Sequence, residues 1–581
     1  MKRTLRPYSL LALLLILLGS CGKKTNVPVP ENAGLVFHIN GASLNSKLSW
    51  DEFKQGELYK MAKEEMAKNE GKNELAQKIL DNPDSSGVDI RSDAWFFLAN
   101  TGANSYAAFT CNLKDEKAFA GMMQQIEPMK TITKQGNLSV MKMGGDAVLT
   151  WSNNRFVFIG EANDLNRNPY TGGSGNRSTL TQDSLLKIAQ NVYDIKGSSS
   201  IGNNSKFASM LKEEGDLHIW TSSGGLYNGA LSQVFTMLPK LGNLLQGNFS
   251  ASTINFANGK ITMSSKGYYN KELLDLYSKY QMKNLDIETL KKIPAGDVDA
   301  AAAGNFNPEA LQGFLSLIGV DGLANAYLSQ MNYSIDEFVK GNKGDVVLAV
   351  SDFKIVPNEV SYDIGNGQKQ TYTSTKPEVK ILFATSVKEK ASWDKLMNIV
   401  HDKIAGEGGA AAQAMIDKVP YTLNSEWFVA GSDSAYVHAF GIKHIDHDFI
   451  RKISGHPFGA YIDIRKFITG VRPSIKDSIG LVIADESVRL WEDMVFYGGE
   501  RDGDAIKAYG EINLIDNNTN SLKQLHNYFG KIASMYKAQE DRRKAAWENM
   551  KIDDLTKTED LVPPPPTMMD PKKIEMKPVT K

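Results

Sequence analysis

The strongest constraint on the fold is a repeat of long period. Phe109-Thr110-Cys111-Asn112-Leu113-Lys114-Asp115-Glu116 leads into Lys117, Ala118, Phe119, Met122, Met123 and Ile126. Without a gap, Phe383-Ala384-Thr385-Ser386-Val387-Lys388-Glu389-Lys390 leads into Ala391, Ser392, Trp393, Leu396, Met397 and Val400, 274 residues further on (383 less 109). In both copies apolar residues first alternate, as on a strand, then recur at spacings of three and four, as on a helix. A chain that writes one strand-helix unit twice is expected to fold as two related bodies.

Partial matches in the same order flank this unit. Residues 35–39 end at Asn40 and residues 299–304 end at Asn305; each reads as a strand feeding a helix, with an asparagine placed to cap it. Asp93 opens 94–99 and Asp345 opens 346–350, while 151–158 and 423–429 read as hairpins. Later, 216–220 and 460–464 read as strands, and Asn258-Gly259 and Asp502-Gly503 suit tight turns. The expected class is α+β. Two tandem related halves, 31–290 and 291–549, each carry mainly antiparallel sheets packed by helices on one face. The glycine-rich stretches 166–178 and 406–409 lack the spacing of a phosphate loop and read as connections. Residues 550–581, with Pro563 to Pro566 and a lysine-rich end, read as a disordered tail serving as spacer or docking peptide.

The N-terminus carries an address. Lys2, Arg3 and Arg6 precede an apolar run over 10–18. That run is too short for a span of roughly 20 residues and suits a secretory signal. Leu18-Gly19-Ser20-Cys21 resembles the bacterial lipobox, which implies cleavage before Cys21 and thioether lipidation of its sulfur. Residues 1–20 are then the signal and 21–30 a tether, with the membrane as partner through lipidated Cys21. Gly22 rather than an aspartate follows the cysteine, and Lys23 and Lys24 stand where surface-exported lipoproteins tend to carry acids. By resemblance to those sorting rules, the expected location is the cell envelope, on the outer membrane and facing the periplasm.

Removing 1–20 takes three basic residues from 66 and none from the 67 acidic ones, leaving a charge of −4. So balanced a surface argues against nucleic acid as a partner. Lipidation also leaves Cys111 without a disulfide partner, and its place in an apolar strand marks it as a small buried hydrophobe.

Most of the eight histidines are isolated along the chain, and the one cluster is His438, His444, Asp446, His447 and Asp448. On a helix, His444 and His447 would face one metal ion at a spacing of three, with Asp446 or Asp448 orienting a ring. The competing reading is a turn into a helix that Asp446 or Asp448 caps. No nucleophile elbow, phosphate loop, Cys-x-x-Cys pair or EF-hand loop occurs. No catalytic residue is therefore assigned and no cofactor is expected. Most of the eight tryptophans fall at apolar strand or helix positions, where packing is their expected role.

The lipobox, the opening over 30–40, the turn Asn82-Pro83-Asp84-Ser85-Ser86-Gly87-Val88-Asp89 and the 109–126 unit together resemble the Bacteroidota lipoproteins grouped as domain of unknown function 4836. The resemblance covers nearly the whole mature chain and implies an envelope lipoprotein, with no catalytic residue to carry over. The expected function is non-catalytic binding or scaffolding at the envelope, with an envelope protein or a glycan as partner. Alternatives are a periplasmic hydrolase, metal-assisted through His444 and His447, and a glycan-binding lipoprotein.

Overall fold

A computed structural model describes residues 27–67, 74–101, 104–144, 147–152, 154–162, 180–223, 239–363, 368–407, 418–442 and 445–556. The signal segment, Cys21, the stretch 166–178, Gly408-Gly409, His444 and the chain beyond Thr556 lie outside the described residues.

The described strands are β1 (Ala33–Ile39), β2 (Ala94–Thr101), β3 (Asn104–Asn112), β4 (Ile132–Gln135), β5 (Leu138–Lys142), β6 (Ala147–Ser152), β7 (Arg155–Glu161), β8 (Leu217–Ser222), β9 (Phe249–Ala257) and β10 (Lys260–Tyr268). They continue as β11 (Val298–Asn305), β12 (Asn342–Asp363), β13 (Lys369–Val387), β14 (Tyr421–Leu423), β15 (Trp427–Gly431), β16 (Phe458–Ile462), β17 (Trp491–Asp502) and β18 (Ala505–Leu514). Principal helices are α1 (Gly41–Lys47), α2 (Glu57–Ala67), α3 (Glu116–Ile126), α4 (Gln182–Asp194), α5 (Ser205–Met210), α6 (Lys271–Lys279) and α7 (Pro308–Ile318). After them come α8 (Asp321–Ser329), α9 (Lys390–Glu407), α10 (Ser434–Ala439), α11 (Asp448–Ile453), α12 (Ile464–Val471), α13 (Ser478–Leu490) and α14 (Ser521–Thr556).

This is an α+β fold, and its strands form one sheet rather than the separate sheets expected. Neighbours run β4-β5-β6-β7-β3-β2-β1-β8-β9-β10 and then β18-β17-β16-β11-β12-β13-β15-β14, every pairing antiparallel. The join is the nine-residue ladder of β10 with β18, centred on Ser264 opposite Tyr509. Its backbone groups saturate an edge that would otherwise template association. Outward from this join the order is β9, β8, β1, β2, β3 on one side and β17, β16, β11, β12, β13 on the other.

Helices cover both faces, not one. Neighbouring residues of β2 to β7 divide between two cores, as side chains on a pleated strand must. Phe97, Ala108, Val148 and Val157 meet Leu185 and Ala189 of α4 and Phe207 of α5. Phe109, Leu149 and Phe156 meet Phe119, Met122 and Met123 of α3 on the opposite side. That double burial explains the unbroken apolar text of β2, Ala94-Trp95-Phe96-Phe97-Leu98-Ala99, since a strand covered on both faces has no polar side. In the β11–β18 portion Val347, Leu382, Ala384 and Val429 meet Val437 of α10 and Phe449 of α11, while Trp393 of α9 stacks on Phe428 at 4.8 Å.

The two portions also clasp each other. α14 lies along α2, with ion pairs Lys523–Glu52 and Lys537–Glu64 and with His526 4.8 Å from the Phe53 ring. Reciprocally, α6 packs on α7, so close that a Cβ on Gly313 would lie 2.5 Å from Tyr280. The duplicated unit begins each helix after its strand as expected: Asp115 caps α3, and α9 starts at Lys390. Asn40 caps α1 as read from the sequence, accepting from Ser43 N at 3.3 Å. The counterpart differs: Asn307 caps α7, because Asn305 is held inside, accepting from Lys283 N at 2.8 Å and donating to Asp345 at 2.7 Å. α14 continues to Thr556, past the tail boundary drawn at residue 550.

Candidate functional site

Two interruptions of strand register open a cleft in the β11–β18 portion. β11 carries an extra residue, Asp299, between Val298 and Ala300 in its ladder with β12. β12 bulges again between Ser351 and Lys354, where Asp352 adopts φ 57°. Bulges re-aim the side chains they carry. The α12 helix closes the third side, and it approaches the second bulge closely: a Cβ on Gly470 would lie 2.6 Å from the Phe353 carbonyl. The open cleft measures about 1170 Å³, and its walls are mostly charged.

Its rim charges are paired. Lys380 Nζ lies 2.6 Å from Asp352 Oδ2, and Lys354 lies 3.5 Å from Glu378. Asp433 caps α10 by accepting from Tyr436 N at 2.7 Å. The floor is different. Asp299 is 2 % exposed, accepts the Phe353 N–H at 2.8 Å on Oδ2, and shares one ammonium, Lys466, with Asp297 and Asp463. Lys466 Nζ stands 2.5 Å from Asp297 Oδ1 and 3.6 Å from Asp463 Oδ2, and it donates to the Val298 carbonyl at 3.2 Å. Burial pushes the Asp299 carboxyl pKa up, against the Phe353 N–H, and the charges of Asp297 and Asp463 push it further. Burial would lower the Lys466 pKa, but Asp297 and then Asp463 and Asp299 outweigh it and hold the ammonium charged.

Of the candidate metal residues, His447 stands behind this cleft. His447 caps α11, its Nδ1 accepting from Phe449 N at 3.4 Å. Its Nε2 faces the Tyr461 hydroxyl at 3.3 Å, and that hydroxyl donates to Asp463 Oδ2 at 3.4 Å. One tautomer satisfies the chain: Nε2–H donates to the Tyr461 oxygen, whose own hydrogen goes on to the cleft carboxylate. Asp446 is exposed and lies 3.6 Å from Arg451, and His444 is outside the described residues. The capping residue is thus His447, not Asp446 or Asp448. Among the described residues no three His, Cys, Asp or Glu side chains are grouped to hold a metal ion.

A second ionisable cluster escaped the sequence reading, which took most histidines as isolated. His38 on β1 and His218 on β8 are register partners, and their Nδ1 atoms lie 3.0 Å apart in the interior. His38 Nε2 is 3.3 Å from Asp93, and its ring lies 4.2 Å from Trp95. Only strand pairing joins residues 180 apart, so no local signal announces the pair.

No helix among the described residues is long and apolar enough to cross a membrane. A family model described as a domain of unknown function, DUF4836, matches residues 24–423, well over half of the chain. No curated protein matches. Among solved structures, the chain is similar at 8% identity to crystal form III of TP0453, covering 45% of this chain and 89% of that one with a TM-score of 0.24. Crystal form I aligns at 9% identity over 45% and 88%, also with a TM-score of 0.24, a level that carries no inference of shared fold.

Proposed function

Because the chain belongs to the family defined by the domain of unknown function DUF4836, which brings no assigned activity, we propose that it is a lipid-anchored envelope protein that binds a partner through the cleft between β11, β12 and α12. The carrying observation is the engagement of the cleft's charges. Asp433 and Asp463 cap helices, Lys380 and Lys466 sit in ion pairs, and such fixed groups suit recognition better than proton transfer. The lipobox ending at Cys21 supports the anchor, and a periplasm-facing outer-membrane position follows from Gly22, Lys23 and Lys24. Two or more acyl chains, at about 0.8 kcal/mol per buried methylene, make such an anchor durable.

We also propose that 31–290 and 291–549 are two copies of one plan. The matching outward order of strands from β10 and β18 supports this, as does register: Phe109 pairs with Phe158 while Phe383 pairs with Ala430. The copies differ where the cleft forms. The extra residue that is Asp299 in β11 is Gly34 at the corresponding slip of β1, between Ala33 and Leu35.

Crosslinking in intact envelopes, followed by mass spectrometry, tests the reading. The expected result is an acyl mass on Cys21 and a partner whose capture fails in Lys380→Glu. Turnover by the purified protein that vanishes in Asp299→Asn would replace binding by catalysis, of a hydrolase kind. An unmodified Cys21 would remove the anchor.

A further inference from the structure

The helices that follow β11 are apolar and weakly covered. Residues 308–331 carry two charged side chains, Glu309 and Asp321, in a chain that is 23% charged. α7 and α8 occupy most of that stretch and pack on each other, and Pro308 is their one buried residue. Leu311 and Phe314 on α7 are 40% and 36% exposed, and Leu323 and Tyr327 on α8 are 73% and 62% exposed. Spacings of three and four place each pair on one side of its helix. The first portion of the chain covers the equivalent place: after β1, α2 lies under α14, which is 36 residues long, whereas α7 meets α6, which has nine. Exposed apolar side chains concentrated in this way mark a contact surface.

Strand register indicates what that surface meets. Pairing keeps the start of β1 level with the ends of β8, β10 and β17 and with the starts of β9, β18 and β16, and so with the end of β11, where Gly304 faces Phe458. The chain therefore enters β1 and leaves β11 for α7 at the same end of the strands. A physical bridge joins the two places. The helix Pro239–Leu245 packs on α7, and a Cβ on Gly319 would lie 3.3 Å from the Lys240 side chain. β9 then begins at Phe249, which packs against the same apolar core as Val27. Val27 stands six residues after Cys21 (27 less 21), and six residues reach at most about 22 Å. An acyl chain on Cys21 would hold this end of the strands close to a bilayer.

Resting on the reading of Cys21 as a lipid anchor, we propose that α7 and α8 form a membrane-contact surface, with Leu323 and Tyr327 entering the lipid and Leu311 and Phe314 beside them. A bilayer interface accepts the apolar face of a helix, and a tyrosine there buries its ring while its hydroxyl stays among the headgroups. The scarcity of charge over 308–331 spares the pair the cost of desolvating ions. Contact through these helices also orients the molecule. Asp299 and the cleft stand at the opposite end of β11 from α7, so the cleft turns away from the bilayer, where an envelope partner reaches it.

Flotation of the chain from Gly22, which carries no acyl group, with vesicles of phosphatidylethanolamine and phosphatidylglycerol tests this. The expected result is saturable binding that persists in about 0.5 M sodium chloride, where attraction between exposed charges is screened. Binding should fall by about tenfold or more in the double variant Leu323→Gln, Tyr327→Gln, and should be unchanged in Met129→Gln, between α3 and β4, whose side chain is 92% exposed. All three side chains are exposed, so their replacement leaves the core intact. A polarity-sensitive dye on Leu323→Cys should brighten on the vesicles and the same dye on Met129→Cys should not, the buried Cys111 taking no label. Absence of vesicle binding, binding indifferent to the double variant, or binding abolished by salt overturns the proposal. So does a dimer in solution that the double variant separates, which would give this face to a second copy. The acyl mass on Cys21 reads the anchor separately: vesicle binding without that mass keeps the surface and removes the anchor, and the mass without vesicle binding does the reverse.

Discussion

His38 and His218 illustrate how much a single contact prescribes. His218 Nε2 lies 3.1 Å from the Glu213 carbonyl, which only accepts, so that nitrogen carries hydrogen. In the neutral ring Nδ1 is then an acceptor, and the facing Nδ1 of His38 must donate. A second proton on His218 would set hydrogen against hydrogen at 3.0 Å. Burial, followed by the charge of His38, accordingly holds the His218 pKa below its usual value. The folded protein therefore binds fewer protons than the unfolded chain as pH falls below about 6.5, and stability declines there. Melting temperatures measured from pH 7 to pH 5 should fall, and His218→Gln should flatten that slope. Cys111 offers a second check. It is 2 % exposed, and burial pushes its thiol up to about 12. A thiol reagent should leave it unmodified in the native protein and label it fully in denaturant. Its inertness was readable from alternation along one strand; the histidine pair was not, because nothing near residue 38 refers to residue 218.

At the scale of elements, the duplicated unit was legible because local chemistry suffices for it. Alternation makes β3 and β13, a polar turn ends them, and the spacing of Phe119, Met122 and Met123 turns α3 onto the sheet. The strength of that packing is testable. Trp151 is fully buried, with its ring 5.6 Å from Phe119, so Trp151→Ala should cost about 3–5 kcal/mol in denaturant unfolding. Gly470 makes the opposite point. Inside an ordinary helix a glycine reads as a weakness, yet here it lets α12 approach the Phe353 carbonyl. Gly470→Ala should destabilise by about 1–3 kcal/mol instead of stabilising the helix, and it should lower affinity at the cleft. The bulges that aim Asp299 and Asp352 were equally silent, since one extra residue in a ladder is defined only by the partner strand.

For the whole molecule, the join between β10 and β18 and the reciprocal clasp of α14 on α2 and α6 on α7 bind the two portions into one unit. Calorimetry of the mature chain should show a single transition. A chain ending at residue 290 loses the partner of β10 and exposes its full edge, so light scattering should find it self-associated. The amino-acid order by itself determined the α+β class, the strand-helix unit written twice, the cap at Asn40 and the apolar character of Cys111, because each depends on residues within a few positions of one another. Tertiary structure alone decided that the eighteen described strands share one sheet, that helices cover both its faces, and that His447, Tyr461 and Asp463 lead to a cleft floored by Asp299. Those outcomes depend on which edges and faces meet across more than a hundred residues, and free energies of that kind have no local trace in the chain.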